Sequence, residues 1–549
     1  MCRAVVSWGP SLRGAGTTSQ GGVVQTGRVR TLFAAVAVSG LAATVAWGVL
    51  ELGFLEKDLR DSYVLWTAAC WALFALAVVL LRRVPLRAVT ALVLAGTALL
   101  GGAALVGPPN TSTDPARYAW DGIVQGAGTS PYTYTPDSGE LRDLRPEWIF
   151  PPAADFTRDD GTIGQRCSQP DRQIHRAYDT ETGDVVCTAI NRPEVPTIYP
   201  PTAELWFWAV RSVVPADVEF LPFQLAGALL VLGTTAALLV ALRRRGLDPR
   251  WAALWGWCPL VLGEGVTNSH VDLLGAVLVV VASLFVARGA GWRGGVALGA
   301  AIATKLIPVI AAPALLRRQP VRVIVASIVT FAVLYVPYVV STGIGVLGYL
   351  PGYLTEEGYE DGSRFVFASA YLPDSVATPV VALVLLVTGV VVWVRTPSGD
   401  PWLGQLVMIG VTLVAVSPRY PWYALLLVPF VAMTGRWEWL AIPLALLVRQ
   451  LEPGQALQRS SLAAAVLVIL LGTILRAGAG WLDRLADLAE AGGRRLRHPR
   501  WPRGRGGRAA LGGGGVAGAR GVGDVGGVGG SSAGAARSTG AAGPPGASA

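Results

Sequence analysis

The sequence predicts an all-α polytopic membrane protein of about twelve transmembrane helices plus a re-entrant hairpin, with one large loop outside the membrane. Two compositional facts carry this: 52% of the 549 residues are hydrophobic and only 15% are charged, where a soluble domain carries about 25% charged residues. The third is a repeated apolar run of about the 20 residues that a span needs. Mean hydropathy is +0.49. The net charge, 45 − 36 = +9, sits at the ends and in short loops, which reads as orientation in a membrane and not as a nucleic-acid surface.

Residues 1–30 are polar, with Arg3, Arg13, Arg28 and Arg30 and no acid. No cleavage pattern follows, so 1–30 is expected as a cytoplasmic segment before a retained first helix. Spans follow at 31–54, 63–81 and 88–107, with Arg82, Arg83 and Arg87 on the inside, so 31–107 forms the first three helices. Residues 108–203 carry fourteen acids and eight arginines, a net −6, which suits the outer face. A helix at 220–242 returns to Arg243, Arg244 and Arg245. Runs at 251–266 and 273–287 form a hairpin with Thr267 to Asp272 at its outer tip. Segment 294–316 has basic flanks (Arg293, Arg317, Arg318) and a break near Lys305 and Pro308, which favours a re-entrant hairpin or two short helices. Further runs lie at 321–342, 376–394, 402–416, 421–434, 437–448 and 460–475, with an outer loop at 343–375 bearing Glu356, Glu357, Glu360, Asp361 and Arg364. The organisation is thus 1–30, 31–107, an extracytoplasmic loop 108–219, the remaining spans in 220–476, and a tail 477–549. From Arg476 the tail has eleven arginines against four acids; being Gly/Ala-rich, it is expected to be disordered and cytoplasmic.

Of the five cysteines, Cys70 and Cys258 lie in apolar runs and read as packing residues. Cys167 and Cys187 share the long loop, where an oxidising compartment would sustain a disulfide, against the alternative of two free thiols. Lys57 and Lys305 are the only lysines among 45 basic residues, a bias that points to a GC-rich, bacterial genome. The Asn110-Thr111-Ser112 triplet then carries no glycosylation meaning.

Chemistry concentrates where the loop leaves the third span. Asp114 and Asp121, with Arg117, Tyr118 and Trp120 between and around them and Tyr132 further on, could face a sugar, a carboxylate there taking the proton of an attacking hydroxyl. The alternative is an interfacial aromatic belt with solvated acids. Lys305, alone in an apolar stretch, suits a lipid phosphate or a snorkelling role. His270 and Asp272, with Asn268 and Glu264, could bind sugar hydroxyls or act as local caps; one His and one Asp do not make a metal site. Arg419 in Ser417-Pro-Arg-Tyr420 could clamp a phosphate or anchor at the interface. Glu204 and Trp206, on the amphipathic segment 204–215, could line the cavity or lie on the bilayer.

The runs RYAWDGIVQGAGTSPYTYTPD, RPEVPTIYPPTAELWFW, WCPLVLGEGVTNSHVD, ATKLIPVIAAPALLRR and SPRYPWY resemble the bacterial GT-C glycosyltransferases, most of all actinobacterial mannosyltransferases that use polyprenyl-phosphate-linked sugar. The resemblance covers about residues 31–476 and is specific in the loop, where YAWDG, SPY and PTIYPP occur together. It implies a GT-C-like helical bundle in the plasma membrane, both termini cytoplasmic, and an inverting enzyme of cell-envelope biosynthesis. Mannose would pass from polyprenyl phosphate to an extracytoplasmic glycolipid or polysaccharide, with no cofactor and with divalent metal left open. It further implies a catalytic acid in the first outer loop, which falls on Asp114 of the D-x-x-x-Y arrangement with Tyr118, or on Asp121 of WDG; Tyr199 of PTIYPP and Tyr420 join the binding residues. The Cys167–Cys187 insertion and the Gly-rich tail depart from the pattern, which leaves the acceptor open.

A secondary transporter or flippase of a lipid-linked sugar is the competing class, but it calls for two related halves with ionisable groups at mid-membrane, and no repeat is visible. An envelope scaffold subunit is a third. Walker and HExxH patterns are absent from the sequence.

Overall fold

The computed structural model describes residues 20–160, 162–169, 172–358, 364–452 and 454–497. Cys2, most of segment 1–30, Glu360, Asp361 and the tail beyond Arg497 lie outside the described residues. The chain divides into two units, 1–479 and 480–549, and of the second only the continuation of the last helix to Arg497 is described.

The described chain opens with α1 (Gln20–Glu51), α2 (Arg60–Leu81), α3 (Leu86–Ala104) and α4 (Asp114–Gly126). Strands β1 (Ala154–Thr157), β2 (Ile163–Arg166), β3 (His175–Tyr178) and β4 (Val185–Thr188) follow, then α5 (Pro201–Arg211) and α6 (Leu221–Arg244). Next come α7 (Ala253–Gly256), α8 (Pro259–Leu262), a π-turn at Gly263–Thr267, α9 (Asp272–Ala287), α10 (Gly291–Ile302) and α11 (Ala312–Leu315). The last elements are α12 (Pro320–Thr342), α13 (Leu350–Glu356), α14 (Asp374–Arg395), α15 (Trp402–Val416), α16 (Val428–Thr434), α17 (Ala441–Leu451) and α18 (Gln455–Arg497).

Seven helical stretches among the described residues are long and apolar enough to cross a membrane: 27–51, 57–81, 86–104, 221–244, 320–356, 375–395 and 455–478. An eighth span is formed if 259–267 and 272–287 are taken together, but they meet at a 116° bend. Among the described residues the expected count of about twelve is therefore not reached by length and apolarity. Run 402–416 gives α15, whose 15 residues reach about 22 Å at 1.5 Å per residue, short of a hydrocarbon core of about 30 Å. Runs 421–434 and 437–448 are also too short, each a 3₁₀ turn leading into a short helix. Segment 294–316 is not one span either: α10 stops at Ile302, and a 3₁₀ turn at Ile307–Ala311 separates it from α11.

The broken middle of the chain forms the centre of the bundle. Trp255, Trp257, Leu262 and Val266 are buried there with Phe430, Val431 and Met433. Close helix approach uses small residues, as is usual where lipid removes the hydrophobic drive. A Cβ on Gly295 would lie 2.5 Å from the Val323 carbonyl oxygen, and one on Gly299 2.5 Å from that of Ser327. The Ser327 hydroxyl donates to the Gly295 carbonyl at 3.0 Å across the same seam.

The chain is mostly helical as expected, but the loop between α3 and α6 also holds two short hairpins. β1 pairs antiparallel with β2, and β3 with β4. Four-residue strands are too short to show a period-2 pattern in a sequence. The β3–β4 turn is held by Asp179, whose carboxylate accepts the backbone N–H of Glu181 and Thr182 and pairs with Arg142 at 2.8 Å and Arg145 at 3.1 Å. Those guanidiniums, Arg142 foremost, hold the Asp179 carboxyl well below its usual range. A disulfide joins Cys167 to Cys187 on β4, with Cα atoms 5.2 Å apart. The loop has its own core, in which Tyr118, Trp120, Ile149, Ile190, Phe207 and Phe223 meet.

Candidate active site

Asp114 opens α4, where a carboxylate is favoured by the partial positive charge of a helix start. The chain before it is fixed from the membrane side: the Asn268 side-chain oxygen accepts the backbone N–H of Asn110 and of Thr111, both at 3.0 Å. Its amide donates in turn to the Thr111 hydroxyl at 2.7 Å and to the Gly263 carbonyl at 3.1 Å. Asn268 closes the π-turn, so the break in the span and the start of the loop helix are one structure. The Asp114 carboxylate accepts from the Asn191 amide at 3.2 Å and from the Tyr199 hydroxyl at 3.4 Å, and its Oδ2 lies 3.7 Å from His270 Nδ1. Its side chain is 18% exposed, whereas that of Asp121 is 3% exposed.

That difference separates the two acids in kind. Asp121 is locked one helical turn behind Arg117 at 3.1 Å, and Arg117 also donates to the Val195 carbonyl at 2.9 Å. Glu204 stands beside them, fully buried, with Thr197 donating to it at 2.7 Å and Gln125 at 2.9 Å. Burial raises both carboxyls, and the Asp121 charge adds to the rise at Glu204, while Arg117 opposes it at Asp121. Two acids in one dry site cannot both ionise cheaply, so Asp121, Glu204 and Arg117 form a closed polar core. Glu204 thus lies neither on a bilayer surface nor free in a cavity.

The aromatic residues of the first motif are also inside. Tyr118 is stacked on Phe207 at 4.4 Å and Trp120 packs edge-on to Phe150 at 4.8 Å, each about 1% exposed. Tyr132 packs edge-on against Tyr338 and donates to the Tyr199 carbonyl at 2.5 Å. The expected role of these three rings as sugar platforms is therefore corrected: they offer no free face, because the loop needs them as core.

His270, expected at an outer hairpin tip, has a fully buried side chain, and its neighbours Thr267, Asn268 and Asp272 are buried with it. Its ring stacks on Trp422 at 3.9 Å, and Trp422 stacks on Tyr420 at 4.3 Å, making a column of three rings. Its Nε2 lies 3.2 Å from Glu264 Oε2. Lys305 reaches back to Asp272 at 2.8 Å and 3.0 Å and sits 4.4 Å above the Tyr423 ring. The Tyr423 hydroxyl pairs with that of Tyr353 on α13 at 2.8 Å. Arg192 pairs with Glu356 at 2.6 Å, tying the strap before α5 to α13. Arg419 is exposed, on a turn shaped by Arg449, which donates to the Ser417 carbonyl at 2.6 Å.

The structure thus gathers Asp114, Tyr199, His270, Asp272, Lys305 and Tyr420 where the loop meets the helical bundle. Arg117, Tyr118, Trp120, Asp121 and Tyr132 stand behind it. Asn191, Arg192, Trp422 and Tyr423 are not singled out by the sequence as binding residues, and a single sequence holds no signal that ranks them. Among the described residues, no group of three His, Cys, Asp or Glu side chains is arranged to hold a metal ion.

Residues 197–429 match Glycosyltransferase family 87. This is a family of GT-C-like membrane glycosyltransferases, and the match supports a transferase acting on a sugar donor and an acceptor. It covers less than half of the chain, running from Thr197 past Tyr423; it contains Tyr199, His270, Asp272, Lys305, Arg419 and Tyr420 but stops short of Asp114. No curated protein and no solved structure matches the chain.

Proposed function

We propose that this protein transfers a sugar, mannose by resemblance, from a polyprenyl-phosphate donor to a glycolipid or polysaccharide acceptor on the outer face of a bacterial plasma membrane, with inversion. The observation that carries the reading is Asp114, a carboxylate still open to a ligand, held between the loop and the membrane bundle beside His270 and Lys305. The acceptor hydroxyl oxygen attacks the anomeric carbon from one face, and the bond from that carbon to the phosphate oxygen breaks on the other. The bonding pair stays on the polyprenyl phosphate, and the hydroxyl proton goes to Asp114. Lys305, steadied by Asp272, and Arg419 offset the phosphate charge as it leaves. The arginine distribution supports cytoplasmic termini and an outward-facing loop.

The test is transfer from radiolabelled polyprenyl-phosphate mannose in membranes holding the native chain or Asp114→Asn. Label should enter a glycolipid or polymer with the native chain, and fall by about 100-fold or more in the variant at equal expression, the scale of a lost general base. An active Asp114→Asn enzyme would remove Asp114 from the role. A native chain that transfers nothing from this or other polyprenyl-phosphate sugars would overturn the donor class.

A further inference from the structure

We propose that Glu264 is a positioning residue for proton removal, holding His270 in line with Asp114 so that the imidazole carries the proton onward. This rests on the reading of Asp114 as the base. The observation is a row of polar atoms that runs inward from the partly exposed Asp114. Asp114 Oδ2 faces His270 Nδ1 at 3.7 Å, and His270 Nε2 faces Glu264 Oε2 at 3.2 Å. Both ring nitrogens and Glu264 Oε2 are buried without a hydrogen bond of good geometry in this state. Buried polar atoms nearly always find partners, and the carboxylates at the two ends are the ones within reach.

The surroundings hold the row in place. Trp422 covers one face of the ring at 3.9 Å. The His270 backbone N–H donates to the Glu264 carbonyl at 2.9 Å, so the two residues belong to one turn. Glu264 is carried by a π-turn, a local expansion that proteins retain mostly at functional sites. Ser269, just before His270, has a φ of 49°, a backbone position that costs energy for a residue with a side chain. Of the charged or titratable groups nearby, Asp272 is engaged with Lys305, Tyr199 with Asp114, and Tyr423 with Tyr353.

The chemistry balances with one proton. Asp114 takes it from the acceptor hydroxyl as the new sugar bond forms. It passes to His270 Nδ1, while the proton on Nε2 stays directed at Glu264, whose charge offsets the imidazolium. Asp114 is then a carboxylate again, and once product has left the ring returns the proton to Asp114, the exposed end of the row, which releases it to water. A base oriented by a third group is the general logic of such rows.

The experiment uses full-length protein in membranes and polyprenyl-phosphate mannose as the probe. Glu264→Gln keeps the length and an acceptor oxygen but removes the charge. Its kcat should fall about tenfold or more with the donor KM within about twofold. His270→Gln should lose at least as much kcat, and adding Glu264→Gln to it should cost nothing further. Glu264→Asp, which keeps the charge, should recover most of the kcat and guards against a merely misfolded glutamine variant. A Glu264→Gln enzyme with native kcat, a loss that appears in the donor KM instead of kcat, or a loss that simply adds to that of His270→Gln, overturns the proposal. Should Asp114→Asn retain the native rate, or the native chain transfer nothing, the underlying reading falls and this one with it. An inactive Asp114→Asn beside a native-like Glu264→Gln overturns only the role of Glu264.

Discussion

Replacing Lys305 by Met leaves Asp272 without its cation, and the two halves of that pair are unequally placed. The Asp272 side chain is 4% exposed and that of Lys305 is 21% exposed. Breaking a buried pair costs about 3–5 kcal/mol because the remaining charge is stranded. For Lys305→Met the stranded charge is the nearly dry carboxylate, and a loss of about 3 kcal/mol is expected. In Asp272→Asn the stranded charge is an ammonium on a flexible stem, already partly wet and lying over the Tyr423 ring. It can swing toward water, and a loss of about 1 kcal/mol is expected. Removing both charges, Lys305→Met with Asp272→Leu, should recover most of the stability, since it leaves no charge buried alone. Unfolding of the purified protein in a denaturing detergent series, followed by tryptophan fluorescence, gives the order. An Asp272→Asn variant as unstable as Lys305→Met, or a double variant no better than the single one, would refute the account of which charge is stranded.

Three further outcomes follow from the geometry. Reducing the Cys167–Cys187 bridge, or replacing both by Ser, frees a link across 20 residues and should cost about 3 kcal/mol by chain entropy; protease sensitivity confined to the outer loop would report it. Gly299→Leu forces a side chain into the Ser327 carbonyl, where the gap is 2.5 Å, so a loss of at least 1–3 kcal/mol of stability is expected, with Ala300→Leu, on a less buried face, as the milder control. Glu204 keeps its proton in the folded chain at pH values where the unfolded chain has lost it, because burial and then Asp121 raise its carboxyl. Stability should therefore fall as pH rises from about 4.3 toward the raised value, and Glu204→Gln should flatten that slope in thermal unfolding series.

Long, uniformly apolar runs were legible: the first three spans and the one at 221–244 lie within a few residues of where hydropathy places them. What hydropathy could not separate is a span from a short buried helix. The segments around Trp255, Trp402 and Phe430 are as apolar as lipid-facing ones because protein surrounds them on all sides. At the site, spacing pointed to Asp114 and Asp121 equally, and only burial distinguishes them. Tyr118 and Trp120 look like ligand platforms in sequence because an aromatic residue in a polar loop serves either as platform or as core. The pairing of His270 with residues about 150 positions earlier lies beyond any local pattern. So does the role of Asn268, since only the fold sets it opposite Asn110 and Thr111.

Asn268 has a consequence for how the loop between α3 and α6 could be changed. The position of Asp114 is borrowed from the membrane bundle: four hydrogen bonds run from one asparagine into the stretch before α4 and the π-turn, and the Leu55 N–H adds another to the Asn110 carbonyl at 2.8 Å. The two β-hairpins and their disulfide take no part in that anchoring. Lengthening or trimming the hairpins should leave the carboxylate where it is, whereas transplanting the whole loop onto another bundle would carry Asp114 along without the coordinates that make it useful.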